Sequence, residues 1–173
     1  MTIIEENGVK VKVPNDNYFQ FGKCPAYISI NGQGVKETDV CWYETGSDTL
    51  WLVELKAFNN PGNVLYKPQD LTDTNVVEYW LTELAGKTIH AICMSTTNRS
   101  RTQSCMTTIP TNDTKIKVVH LLKVIPGQDS YLDPMQDRLR SMLRPYSAIF
   151  NISGISIISY DFAVQRQLLN WIV

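Results

Sequence analysis

Alternation of apolar and polar residues is sharpest near the N-terminus, where Val9-Lys10-Val11-Lys12-Val13 follows Ile3-Ile4-Glu5-Glu6 across Asn7-Gly8. A period of two marks a strand with one wet face, and Asn-Gly suits a tight type I′ turn. The pattern predicts a hairpin with its lysines in water. Residues 14–24 show no period. Asn15, Asp16 and Asn17 suit a turn or a helix cap, and Tyr18, Phe19 and Phe21 need cover. Residues 26–30 (AYISI) read as a short strand stopped by Asn31-Gly32-Gln33-Gly34. Residues 39–44 (DVCWYE) and 49–57 (TLWLVELKA) read as two strands paired around Thr45-Gly46-Ser47-Asp48.

Residues 59–72 are a loop by their Asn, Pro and Gly content. The period then changes. With Asp73 or Thr74 as N-cap, Val76, Val77, Trp80, Leu81 and Leu84 recur at helical spacing, and Ile89, Ile92 and Cys93 carry the stripe toward residue 96. Residues 95–114, rich in Ser, Thr and Asn, read as a surface loop. Residues 116–125 (IKVVHLLKVI) form an apolar run that fits a strand covered on both faces. Asp133-Pro134 opens a helix whose expected buried face is Met135, Leu139, Met142 and Leu143, with Pro145 as its end. Residues 155–162 (ISIISYDF) are a last strand. Strands followed by helix, strand, helix, strand indicate one mixed α/β (α+β) domain over 1–173.

Composition narrows the partners. The 173 residues are 43% hydrophobic and 19% charged, with formal net charge −1. That is a chain with a real core, and not one that binds nucleic acid by bulk charge. The four cysteines at 24, 41, 93 and 105 form no CxxC pair, which argues against a zinc site. They are expected as reduced, mostly buried thiols of a cytoplasmic protein. The sequence MTIIEENGVKVKV has acidic residues and no apolar stretch, so it does not read as a signal peptide, and no run of about 18 apolar residues suggests a membrane span.

The candidate chemistry lies in the central hairpin. A turn centred between Gly46 and Ser47 sets Glu44 opposite Thr49, Trp42 opposite Trp51, and Asp39 opposite Glu54. Cross-strand partners share a face, roughly 4.5–5.5 Å apart at Cβ. Alternation adds Lys56 to that face, beside Leu50 and Leu52. Like charges directly opposite each other destabilise a sheet. Two carboxylates so placed can share Mg²⁺ or Mn²⁺, which takes oxygen ligands. A lysine beside them can orient or help deprotonate an attacking water. This is equipment for hydrolysing a phosphodiester.

Asp39, fourteen residues, then Glu54-Leu55-Lys56, resembles the signature of the PD-(D/E)xK nuclease superfamily. The resemblance covers about residues 26–125, with 1–25 and 126–173 as elaborations. It implies a restriction-endonuclease-like mixed sheet whose β-meander carries the site, flanked by helices. It also implies a nuclease, DNA being the expected substrate, that attacks with metal-activated water. Asp39 and Glu54 would hold the metal with the backbone carbonyl of Leu55, and Lys56 would be the catalytic lysine. Thr38 stands where the family usually has proline. The family's further glutamate comes from a helix before the meander; here Glu5 and Glu6 fall in the predicted hairpin. Near-neutral net charge suggests a groove that is basic only locally or a partner subunit that supplies DNA affinity, and a homodimer would let a single-domain enzyme cut both strands.

Lys67 and Gln69, just before the long helix, fall where the family often adds polar site residues. Arg99 and Arg101, with Lys115 and Lys117, flank the polar loop and are candidates for phosphate contact. Ordinary solvated surface is the simpler reading of these basic residues, and of Arg138, Arg140 and Arg144. His90 and His120 read as hydrogen-bonded structural histidines, and Trp42 with Trp51 as a packed pair on the face opposite the acids. For Glu54 and Lys56 the simpler reading is a solvated strand face. A non-catalytic protein-interaction module on this or another α+β scaffold is the alternative function.

Overall fold

The computed structural model describes residues 1–59, 67–97, 101–106 and 108–173. Strands β1 (Thr2–Glu6) and β2 (Val9–Val13) form the expected hairpin, with Asn7 and Gly8 both at positive φ, as a type I′ turn requires. A five-stranded mixed sheet follows, in the order β3 (Tyr18–Phe19), β4 (Val40–Glu44), β5 (Thr49–Ala57), β6 (Lys115–Lys123), β7 (Ile152–Ser159). β3, β4 and β5 run antiparallel in sequence order, while β6 and β7 run parallel to β5. Parallel neighbours need crossovers. Helices α2 (Thr74–Thr96) and α3 (Leu132–Phe150) supply them. β3 and β7, the two edge strands, lie outside residues 26–125 and belong to the same sheet.

Each sheet face has its own core. α2 and α3 cover Cys41, Leu50, Leu52, Ile116, Val118 and Leu122 on one face. The β1–β2 hairpin, α4 (Tyr160–Arg166) and the C-terminal Trp171 and Ile172 cover Val40, Trp42, Trp51, Val53, Leu55, Val119 and Leu121 on the other. Trp42 and Trp51 stack at 5.6 Å on that second face, and Trp171 meets both edge-on. The β4–β5 register is the one the turn dictates, with Trp42 opposite Trp51 and Val40 opposite Val53. Among the described residues no helix is long and apolar enough to cross a membrane.

Five local expectations fail. Residues 26–30 are not a strand: α1 (Pro25–Ile28) occupies them, with Pro25 at its first turn and Tyr27 turned inward. Helical period and strand period are indistinguishable over so few residues. Pro145 lies inside α3, which continues to Phe150 and ends at Asn151 in the left-handed conformation. Met142 is 39% exposed, so the buried face of α3 is Leu132, Met135, Leu139 and Leu143. The last strand starts at Ile152, and Tyr160–Phe162 begin α4 under a Ser159 cap. Finally, Cys24 and Cys105 are not free thiols but a disulfide across 81 residues of sequence. The fold brings the N-terminus of α1 beside the 3-10 turn Arg101–Cys105, a proximity no local spacing announces. Cys41 and Cys93 are free.

Trp171 closes the second core from the far end of the chain. Trp171→Ala is expected to cost about 3–5 kcal/mol, the range for emptying a buried aromatic site, read from urea unfolding. A loss under about 1 kcal/mol would show that the hairpin layer holds without it.

Candidate active site

β5 is nine residues long and β4 only five, so β5 overruns its antiparallel partner. The Leu55 peptide groups face the place where β4 would have continued. Buried backbone groups need partners, and side chains supply them. Asp39 Oδ2 accepts from Leu55 N at 2.6 Å, and Asn7 Nδ2 in the β1–β2 turn donates to Leu55 O at 3.2 Å. Asp39 is therefore fixed at the strand end beside Glu54. Its own carbonyl accepts from Gln20 Nε2 at 3.3 Å.

Glu54 is 1% exposed, which excludes the solvated-face reading. It shares the inward face with Leu50 and Leu52, under α2. Lys87, on α2, donates from Nζ to Glu54 Oε1 at 2.5 Å. Glu54 Oε2 is buried and meets no donor. The neighbouring Asp39 carboxyl, within hydrogen-bonding reach of Glu54, is another acceptor unless a proton or a cation lies between them. Burial first, then the repulsion of Asp39, raises Glu54 well above the usual carboxylate range, against the pull of Lys87. Burial likewise raises Asp39, against Lys87 and the Leu55 N–H. Burial alone would depress Lys87; Glu54, Asp39 and Glu37 outweigh it and hold the ammonium charged. Two adjoining acids of this kind titrate as a coupled pair.

Lys56 is half-buried on the same face, and its Nζ lies 5.0 Å from the Trp80 ring centroid. Asp39 and Glu54 thus meet just beyond the paired residues of the hairpin, and Lys56 lies on the same face, near enough for its charge to act on both. Gln69 also bears on the site, indirectly: its Oε1 accepts from Trp80 Nε1 at 3.3 Å, so it steadies the ring under Lys56. Lys67 is exposed beside it and offers its carbonyl to Gln69 Nε2. Arg99 lies outside the described residues, as does the Arg101 side chain. Lys117 belongs to the other face, 4.7 Å from the Trp51 ring, and Arg138 is paired with Glu78. Leu55 O is taken by Asn7, so a ligand at that carbonyl would have to share it.

Both histidines are structural. His120 is the register partner of Glu54 on β6, fully buried, with Thr88 Oγ1 3.2 Å from its Nε2. Burial, helped by Lys87, pulls it down to about 3, so it stays neutral. His90 Nδ1 accepts from Lys36 N at 3.0 Å.

Four participants escape a reading of the hairpin alone: Lys87, Glu37, Glu6 and Asn7. Partial burial and then the Asp39 charge raise Glu6; burial raises Glu37 against Lys87, with Asp39 adding to the rise. Lys87 has a sequence signal, since it falls three residues after Leu84 and four before Ala91, on the buried stripe of α2. Among the described residues no group of three or more His, Cys, Asp and Glu is arranged around a common metal position. The donor set is two adjoining carboxyls, one with a free buried oxygen.

Raised carboxyls contribute stability that is complete below their unfolded-state values and is lost as pH rises through their folded values. Buried neutral His120 works the other way, gaining stability as the unfolded histidine gives up its proton near 6.5, and it does so equally in wild type and variant, so the acids are read from the difference between the two across pH 5 to pH 8. Asp39→Asn removes one such acid and relieves Glu54, so the variant is expected to lose less stability over that range than wild type, by urea unfolding at both pH values. An equal or larger loss would mean that the two acids do not interact. The chain matches no protein-family model, no curated protein and no solved structure.

Proposed function

We propose that the chain is a metal-dependent phosphodiesterase of the PD-(D/E)xK nuclease type, acting on nucleic acid, with DNA as the first substrate to test. The observation that carries this reading is the meeting of Asp39 and Glu54 at the end of one hairpin, with a buried Glu54 oxygen that has no donor. Mg²⁺ typically uses one or two carboxylates and keeps several waters. The donor set fits such an ion, with Asp39 and Glu54 Oε2 as its ligands and Leu55 O adjacent. Antiparallel β3–β4–β5, then α2 and parallel β6, is compatible with the restriction-endonuclease-like frame; α1 interrupts the β3–β4 connection, and the β1–β2 hairpin stands where the family has a helix.

When bound, Mg²⁺ or Mn²⁺ supplies positive charge to the scissile phosphate and lowers the pKa of the attacking water. The chain supplies the rest. Leu55 N–H fixes the Asp39 carboxylate, and α2 covers Glu54 against bulk solvent. Lys56, held over Trp80, presents an ammonium to the phosphate and the attacking water. Neutral His120 takes no proton in this pH range. Because protons compete with a cation for the raised Asp39 and Glu54 carboxyls, affinity for the ion is expected to rise with pH.

Plasmid nicking in Mn²⁺ tests the reading. Wild type is expected to nick DNA. Asp39→Asn, Glu54→Gln and Lys56→Ala are each expected to fall by about 10²–10⁴-fold, the range that acid–base and electrostatic groups contribute. Wild type without metal-dependent cleavage of DNA or RNA, and without stabilisation by Mn²⁺, would overturn it. That result would favour the interaction-module reading, to which the internal neutralisation of Glu54 by Lys87 lends support.

A further inference from the structure

The two oxygens of Glu54 are unlike. Oε1 is held by the Lys87 ammonium at 2.5 Å, while Oε2 is buried without a donor. The Lys87 side chain is only 23% exposed, so its charge is committed to the carboxylate and not to water. Asp39, Glu37, Glu6 and His120 all feel that same charge. Lys56, the other amine on this face, rests against Trp80 instead. The two lysines are therefore not duplicates.

Phosphodiester hydrolysis develops negative charge on the attacking and on the leaving oxygen, and two cations about 3.5–4 Å apart can serve both. An ammonium held by a carboxylate oxygen can be one of them. A divalent ion bridging or chelating Glu54 would need Oε1, which Lys87 holds. We propose that Lys87 is the resident second cation of this site: it occupies Glu54 Oε1 and leaves room for a single divalent ion, on Glu54 Oε2 and Asp39. Lys87 is thereby a positioning residue that sets metal stoichiometry. The proposal rests on the metal-dependent reading above and goes beyond it in assigning the number of ions and the residue that fixes it.

Calorimetric titration of the full chain with MnCl₂ tests it. Wild type is expected to bind one Mn²⁺ per chain. Lys87→Arg keeps the cation and is expected to bind one. Lys87→Ala frees Oε1 and is expected to bind two, a doubling visible also as a spin-coupled Mn²⁺ pair by electron paramagnetic resonance. Two ions in wild type, or one in Lys87→Ala, would overturn the assignment while leaving the nuclease reading in place. No ion in wild type would overturn the nuclease reading itself, and this assignment with it. Should Lys87→Ala fail to fold in metal-free buffer, recovery of its native circular dichroism at two Mn²⁺ per chain supports the proposal. Failure to recover overturns it.

Discussion

Asp39 and Glu54 are acids set side by side where water is scarce, and like charges there repel unless a proton or a cation lies between them. The surrounding structure is arranged so that they cannot avoid each other. The β4–β5 register ends at Val40 opposite Val53, so Asp39 and Glu54 are the next residue on each side; the Leu55 N–H pins one, and α2 closes over the other. Lys87 compensates part of the charge and leaves one oxygen unmatched. A site built only for stability would have done better with apolar residues of similar size, because buried ion pairs seldom repay their desolvation. Two acids and Lys56 at the strand end, with Lys87 reaching down from α2, concentrate charge in one place.

The layers explain how this face stays polar inside a well-packed protein. Leu50 and Leu52 carry the inward face of β5 into the core under α2 and α3, and polar residues replace them only where β5 outruns β4. On the reverse face the tryptophan cluster and the β1–β2 hairpin bury Val53 and Leu55. The same hairpin carries Asn7 around the strand end to Leu55 O and brings Glu6 near Asp39. One element thus completes a core and trims the edge of the site.

The acidic pair was legible in the sequence because its determinants are local. A four-residue turn fixes the hairpin register, register fixes the face, and period two adds Lys56. The long helix and the β6 strand were legible from their periods. Partners brought together by tertiary folding were not. Lys87 lies 33 residues from Glu54 and Asn7 lies 48 from Leu55, and only the crossover of α2 and the fold-back of the hairpin make them neighbours. The Cys24–Cys105 bridge is the same case at greater distance. The short helix at Pro25 is illegible because so few residues show no distinct period, and α3 runs on past Pro145 where Tyr146 and Phe150 pack against the core.

The most direct measurement is the anomalous difference map of a crystal soaked in Mn²⁺ near neutral pH. The expected result is a peak between the Asp39 and Glu54 carboxylates, touching Glu54 Oε2, with Lys87 still on Oε1. A well-ordered site with no peak there, or with Asp39 turned away from Glu54, would contradict the account.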